Sequence, residues 1–303
     1  MSAPANPRHP PLGPGAAYAL LAFCLPVWGV NWPVLKIALG SIPPVWLSCV
    51  RMGSTALCLF AALAVLGRLR LPGRHDMPAV VSIGVLMMGI YPAMTVMGLE
   101  FAEAGRASLL SFITPLWVTP AAILLFGERL TRLKAAGLAL GLGGLGVMFN
   151  PIGFDWSDGD VVYGNLLLVA SSVVWAIPIL HMRRHVWRLS PFQLAPWQLL
   201  AAALVAAPLA LVVEAGETVR WSETLFWLLL YSGPLATALT ILGAVAIARS
   251  LPAITASLLF LATPVAGMLG GAAILGEALT VTNLAGLALI VAGLAAVALG
   301  DAR

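Results

Sequence analysis

The feature that most constrains this chain is a succession of long apolar runs with almost no charge inside them. A helix that crosses a bilayer needs about 20 predominantly apolar residues. Ten such runs can be read: 16–39, 43–66, 78–99, 104–127, 132–149, 161–182, 191–213, 224–247, 252–276 and 279–300. They consume most of the 303 residues and leave no room for a soluble domain. The runs are rich in Ala and Leu and do not alternate, so they read as helices, which satisfy their own backbone groups in lipid. Only 9% of the residues are Asp, Glu, Lys or Arg, where a soluble domain carries about a quarter. A soluble enzyme, a disordered chain and a secreted disulfide scaffold are excluded. The expected fold is an all-α integral membrane protein with ten transmembrane helices.

The first fifteen residues, MSAPANPRHPPLGPG, lack the basic segment and short apolar core of a cleaved signal. They read as a tail, 1–15, ahead of a retained first span. Cys24, Cys49 and Cys58 lie in apolar runs without a C-x-x-C or a metal-ligand spacing, and read as small hydrophobes. Neither a metal nor a cofactor is expected. The basic residues fix the orientation. With the N-terminus inside, Arg8, Arg68, Arg70, Arg74, Arg129, Arg132, Lys134, Arg183, Arg184, Arg188, Arg249 and Arg303 fall on the inner side, and only Arg106 and Arg220 on the outer side. Both termini are therefore expected in the cytoplasm. Basic residues spread over so many loops form no patch for nucleic acid.

Sliding the chain against itself by 149 residues exposes an internal repeat. Ala107-Ser108-Leu109-Leu110 meets Ala256-Ser257-Leu258-Leu259, and Thr114-Pro115 meets Thr263-Pro264. Gly127-Glu128-x-Leu130-Thr131 meets Gly276-Glu277-x-Leu279-Thr280. From 107 to 145, seventeen of thirty-nine positions are identical. Near offset 147, Trp28 and Lys36 fall opposite Trp175 and Arg183, a weaker echo. Five helices per half is an odd number, so the second half should enter the membrane from the opposite side. Arg129, Arg132 and Lys134 become Ala278, Val281 and Asn283 in the second copy, as a flipped hairpin requires. The expected organisation is a first five-helix repeat at 16–149, a connecting loop at 150–160, a second, inverted repeat at 161–300 and a tail at 301–303. Inverted repeats place a substrate site between the halves and permit alternating access.

These residues resemble the drug/metabolite transporter superfamily, in particular its EamA-type exporters. The resemblance covers nearly the whole chain and rests on Trp28-Gly29-Val30-Asn31, Lys36, Arg51 and the twin Pro…Gly-Glu-x-Leu-Thr…Gly blocks at 115–137 and 264–286. The length and the Trp28–Asn31 run are similar to the branch that exports amino acids, aromatic ones among them. The resemblance implies a cavity lined mainly by helices 1, 3, 4, 6, 8 and 9, with 5 and 10 as scaffold.

Lys36 and Arg51 are the basic residues placed within spans, where an ionised side chain is expensive and by default a functional candidate. Lys36 lies close enough to its helix end to snorkel. Otherwise each reads as a positive wall for a carboxylate or as a structural cation capping carbonyls of a neighbouring helix, the latter preferred for Arg51. No Asp or Glu lies near the middle of a span. His181 is the one marginal proton-relay candidate, so facilitated diffusion, exchange and unusual coupling all stay open. Pro92, Pro115 and Pro264 sit inside spans and read as hinges, with static bends as the alternative. The groups suited to meeting an amino acid are Trp28, Asn31, Tyr91, Ser108, Ser111, Thr114, Trp117, Trp175, Tyr231 and Ser257, with Thr237, Thr240 and Thr263 beside them. Singly, a Ser or Thr more often bonds its own helix backbone, and the central aromatics also suit core packing.

Gly141-Leu142-Gly143-Gly144-Leu145-Gly146 matches the dinucleotide fingerprint, but inside a span and without a preceding strand it reads as close helix packing. No P-loop or protease motif is present. The expected function is a secondary transporter of small organic solutes, most simply amino acids, in a bacterial-type inner membrane, with the lipid bilayer as its surroundings and no obligate protein partner. A channel and, further off, an intramembrane enzyme are the alternatives; the sequence offers no catalytic constellation for the latter.

Overall fold

The computed structural model describes residues 13–111, 113–127, 130–149, 156–182, 185, 188–250 and 262–301, and among these the regular structure is all helical. In chain order the helices are α1 (Pro14–Leu39), α2 (Pro44–Val65), α3 (Met77–Glu100), α4 (Ala104–Phe126), α5 (Arg132–Phe149) and α6 (Gly159–Met182). They continue with α7 (Pro191–Val213), α8 (Glu223–Leu230, Tyr231–Thr237 and Ala238–Ser250 in succession), α9 (Ala262–Leu275) and α10 (Val281–Asp301). Seven helices among the described residues are long and apolar enough to cross a membrane. Thr263–Leu275 and Val281–Val297 are shorter apolar helices. Leu57, Val65, Leu124 and Val212 are more than two-thirds exposed. A water-soluble surface rarely carries so many large apolar side chains together, whereas lipid tolerates them.

Local sequence sets the helix ends. Prolines open α1, α2 and α7 in the first turn, where their missing N–H costs nothing. Ser190 and Gln193 form a capping box at α7, and Ser222 caps α8 through the N–H of Leu225. Gly127 and Gly276, the glycines of the repeated Gly-Glu motif, both adopt the left-handed conformation, with φ of 66° and 69°. That explains the glycine in both copies: it stops α4 and α9 at equivalent points at no steric cost.

Two helices depart from the regular α form at matching places. Ser82–Ile90 in α3 and Tyr231–Thr237 in α8 are π-helical, and their first residues are 149 apart, the offset of the sequence repeat. A π segment inside an α-helix is uncommon and gathers at functional sites. In α4 the helix ends at Ser111 and begins again at Pro115. Pro115 therefore does not kink a continuous helix, as its mid-span position suggested, but occupies the first turn of a new one.

Helices in lipid gain no hydrophobic drive from one another, so close packing on small residues must hold them together. The seam between α5 and α10 shows how close: a Cβ on Gly137 would lie 2.6 Å from the carbonyl oxygen of Gly293, and one on Gly144 would lie 2.9 Å from that of Gly286. Of the false dinucleotide motif, Gly141 and Gly144 are thus packing residues, against Leu116 and Gly286, whereas Gly143 and Gly146 face open space. Elsewhere Gly29 in α1 abuts the backbone of Ala266 in α9, and Gly98 in α3 abuts that of Gly164 in α6. The largest apolar cluster joins Trp32, Leu35, Leu47, Val96, Leu99, Leu110 and Leu168 from α1, α2, α3, α4 and α6. Another locks Met52, Ala56 and Leu59 of α2 against Ala195, Leu199 and Ala202 of α7.

Candidate functional site

Polar and aromatic side chains inside the bundle come from both halves of the chain. On one side, α6 presents Ser171 and Ser172, each donating its hydroxyl hydrogen to a carbonyl of its own helix, Leu168 O at 2.7 Å and Val169 O at 2.6 Å. Their oxygens remain available. Thr95 of α3 donates to Ser171 Oγ at 3.3 Å, and the indole of Trp117 donates to Ser172 Oγ at 2.7 Å. Thr114, in the break of α4, donates to Ser172 O at 3.2 Å. Tyr91 stands edge-on to Trp175 with ring centroids 4.2 Å apart. Three aromatics expected at the site, Tyr91, Trp117 and Trp175, therefore meet around one turn of α6, with Thr114 beside them. Pro92 lies at the junction where the π segment of α3 returns to α-helix.

On the other side, Tyr231 at the start of the π segment of α8 donates to Val27 O of α1 at 2.9 Å. Asn31, one turn further along α1, has a buried Oδ1 that takes no hydrogen bond among the described residues. Arg51 of α2 is 7% exposed and donates from Nη2 to Thr237 Oγ1 at 3.5 Å. Its Nε has no partner among the described residues. The same holds for Ser48 Oγ, Gln198 Nε2, Ser232 Oγ and Thr263 Oγ1. Leaving such a group unpaired in the interior costs about 1–3 kcal/mol, so these groups, spread over both halves of the chain, are the candidates for meeting something polar.

The remaining expected residues are already engaged. Ser108 donates to Gly105 O at 2.7 Å and lies 3.4 Å from Pro264 O, which ties α4 to α9. Trp28 is buried in the cluster formed by Ala17, Leu21, Cys24 and Ile247. Ser257 lies outside the described residues. Carbonyl capping, preferred for Arg51 from sequence, is what Lys36 does: its ammonium donates to Leu99 O at 2.5 Å, Glu100 O at 2.8 Å and Ala102 O at 2.9 Å, closing the C-terminal end of α3. Two carboxylates close helix starts on the same face. Glu277 accepts from the N–H groups of Ala104 and Gly105 at 2.5 and 2.9 Å, and Glu214 accepts from Val45 and Trp46 at 2.6 and 2.9 Å. On the opposite face Asp76 accepts from the N–H groups of Arg188 and Leu189 at 3.1 and 3.3 Å, and lies 3.5 Å from His185 Nε2. His75 and His181 pack their rings on His185 there. No group of three or more His, Cys, Asp or Glu among the described residues is placed to hold a metal ion.

Gln198 was not anticipated from sequence. It carries no charge and belongs to no motif, but one signal marks it: at the offset of 147, Arg51 falls opposite Gln198.

The sequence matches the EamA-like transporter family twice, over residues 14–150 and 162–299. An uncharacterized transporter of Bacillus subtilis, YoaV, is 24% identical over 268 residues, 88% of this chain and 91% of that protein. A probable amino-acid metabolite efflux pump of Salmonella typhimurium is 28% identical over 305 aligned residues, covering 88% of this chain and 90% of its own. A probable terminal-alkyne amino-acid exporter of Streptantibioticus cattleyicolor is 29% identical over 128 residues, 42% of this chain and 43% of its own. A solved structure described as "Crystal structure of protein" superposes with a TM-score of 0.65, covering 95% of this chain and 98% of its own at 24% identity, a likeness of fold.

Proposed function

The chain belongs to the EamA-like transporter family, and from that premise we propose that it exports amino acids, aromatic ones included, and related metabolites as a secondary transporter. The setting is the inner membrane of a bacterial-type cell, crossed ten times by two inverted five-helix repeats with both termini in the cytoplasm. The excess of Arg and Lys in alternate loops supports that orientation. Alternating access, with the solute held between the repeats and reached from one side at a time, is the mechanism such a pair of repeats serves.

The single observation that carries this reading is the set of buried polar groups without partners among the described residues, contributed by both repeats. Asn31, Ser48 and Arg51 from the first repeat, and Gln198, Ser232 and Thr263 from the second, hold buried polar atoms that take no partner among the described residues, and Tyr91 and Trp175 pair their rings between α3 and α6. Aromatic faces suit a side chain such as phenylalanine's, and the hydrogen-bonding groups suit its polar end. The break before Pro115, the π-to-α junction at Pro92 and the equivalent proline Pro264 are the hinges of this mechanism. The names of the Salmonella and Streptantibioticus relatives favour amino acids as the solute class.

The test is counterflow. Purified protein in liposomes preloaded with unlabelled phenylalanine should accumulate labelled phenylalanine transiently and saturably. Flux that does not saturate and shows no counterflow makes the protein a channel. No exchange of any labelled amino acid overturns the reading.

A further inference from the structure

We propose that Arg51 and Gln198 form a symmetry-related pair of carboxylate donors, so that the solute is recognised by a carboxylate and a cation without one is rejected. This rests on the reading that the protein carries small solutes, and it names what they must share.

The pairing is visible in the packing. Arg51 stands seven residues after Pro44, which opens α2, and Gln198 stands seven after Pro191, which opens α7. At 1.5 Å per residue each is about 10 Å from the start of its helix, Arg51 from the face where Glu214 closes α2 and Gln198 from the opposite face, where Asp76 holds the residues ahead of α7. Each is packed by the glycine of a π segment. A Cβ on Gly233 would lie 3.2 Å from Arg51 O and 2.8 Å from Ser54 Oγ, and a Cβ on Gly84 would lie 2.7 Å from Gln198 O and 2.9 Å from the Cβ of Ala201. Gly84 and Gly233 are 149 residues apart, and Arg51 and Gln198 are 147 apart. In both repeats the glycine of the π segment packs on the backbone of the facing helix at a residue whose side chain is a long hydrogen-bond donor.

The chemistry of the unpaired atoms selects the ligand. Arg51 Nε and Gln198 Nε2 only donate. Ser48, one turn before Arg51 on the same helix face, and Ser232, next to Gly233, add hydroxyls that also lack partners among the described residues. Arg51 is 93% buried by its 7% exposure, yet the hydrogen bond found for it goes to a hydroxyl, and no carboxylate among the described residues pairs with it. Glu214, Glu277 and Asp76 are committed to backbone N–H groups at the two faces. A buried guanidinium without a counter-ion is unfavourable, and a carboxylate matches its fork of donors. The solute therefore supplies the missing negative charge. Asn31 Oδ1 is a neutral acceptor, sufficient for a hydrogen bond to an ammonium but without charge to draw a cation out of water.

The experiment compares four compounds on the full-length protein: phenylalanine, 3-phenylpropionate, phenylalaninamide and phenethylamine. Each is tested as a competitor of labelled phenylalanine counterflow and, separately, for ligand-induced thermal stabilisation in detergent. Phenylalanine and 3-phenylpropionate should compete at least about ten-fold more strongly than the two compounds lacking a carboxylate, as loss of one charge-assisted pair predicts. Arg51→Gln should flatten that preference, and Gln198→Glu should reduce carboxylate competition further. Arg51→Gln removes the guanidinium and its charge while keeping an amide donor at the position. A wild-type preference for phenethylamine, or an Arg51→Gln protein with the wild-type preference, overturns the proposal. If Arg51→Gln fails to fold, unchanged carboxylate competition in Gln198→Glu overturns it. Absence of counterflow with every compound overturns the transport reading instead, and the stabilisation assay then decides the carboxylate preference independently.

Discussion

Arg51 and Gln198 occupy equivalent places in the two repeats, each beside the glycine of a π-helical turn, but one carries a permanent charge and the other none. The backbone devices are duplicated: two π segments, two left-handed glycines that stop α4 and α9, and two glycine crossings between α5 and α10. The side chains they position are not. Tyr91, Trp117 and Trp175 gather around Ser171 and Ser172 of α6, whereas Arg51 of α2 meets Thr237, which bonds Ser232 O, in α8. A repeat constrains geometry at positions where a Cβ will not fit, and leaves the chemistry at neighbouring positions free to diverge. That is how one scaffold comes to hold an aromatic group and a charged one at different places.

The largest expected effect tests the duplicated geometry. Gly233→Leu and Gly84→Leu each drive a side chain into the backbone of a facing helix, an overpacking cost of about 3 kcal/mol. Both should lose most of their monodisperse protein after mild heating in detergent. Tolerance of one and collapse of the other would show that the two π turns are not packed alike. Next in size, Glu277→Ala leaves the N–H groups of Ala104 and Gly105 without their carboxylate and should cost about 2 kcal/mol of thermal stability. Wild-type stability in that variant would remove the Gly-Glu motif's structural role at α4.

A smaller effect separates the two intramembrane cations. Lys36→Met removes the cap from the C-terminal end of α3 and should cost about 1 kcal/mol while leaving the order of counterflow competitors unchanged. A changed competitor order would give Lys36 the role assigned to Arg51. Smallest is Tyr231→Phe, which deletes one bond to Val27 O and should lower stability by about 1 kcal/mol or less, measured by the same heating assay.

Much of the fold was legible in the sequence, because span length and charge exclusion are coarse constraints that any bilayer imposes. The runs at 132–149 and 191–213 coincide with α5 and α7. The repeat was legible too, since Thr-Pro and Gly-Glu mark it. The π segments were not, because a π turn differs from an α turn in hydrogen-bond register and not in composition. Nor was the break before Pro115, since a proline within a run permits either a kink or a restart. Of the candidate site, the aromatics stand out by their central positions, and the structure brings Tyr91, Trp117 and Trp175 together on α6. Lys36 found its partners in carbonyls 63 to 66 residues away, which no local pattern discloses. Gln198 lacked the charge that drew notice to Arg51, and only the weaker 147-residue register pointed to it.

The α5–α10 seam has a further property. Gly137 meets Gly293 and Gly144 meets Gly286, and residue 137 corresponds to 286 as 144 does to 293. The two crossings are one contact written in both directions, which is the defining property of an isologous interface between identical subunits. The chain carries inside itself the self-complementary surface of a homodimer, so a single repeat would already hold every glycine needed to recognise a second copy.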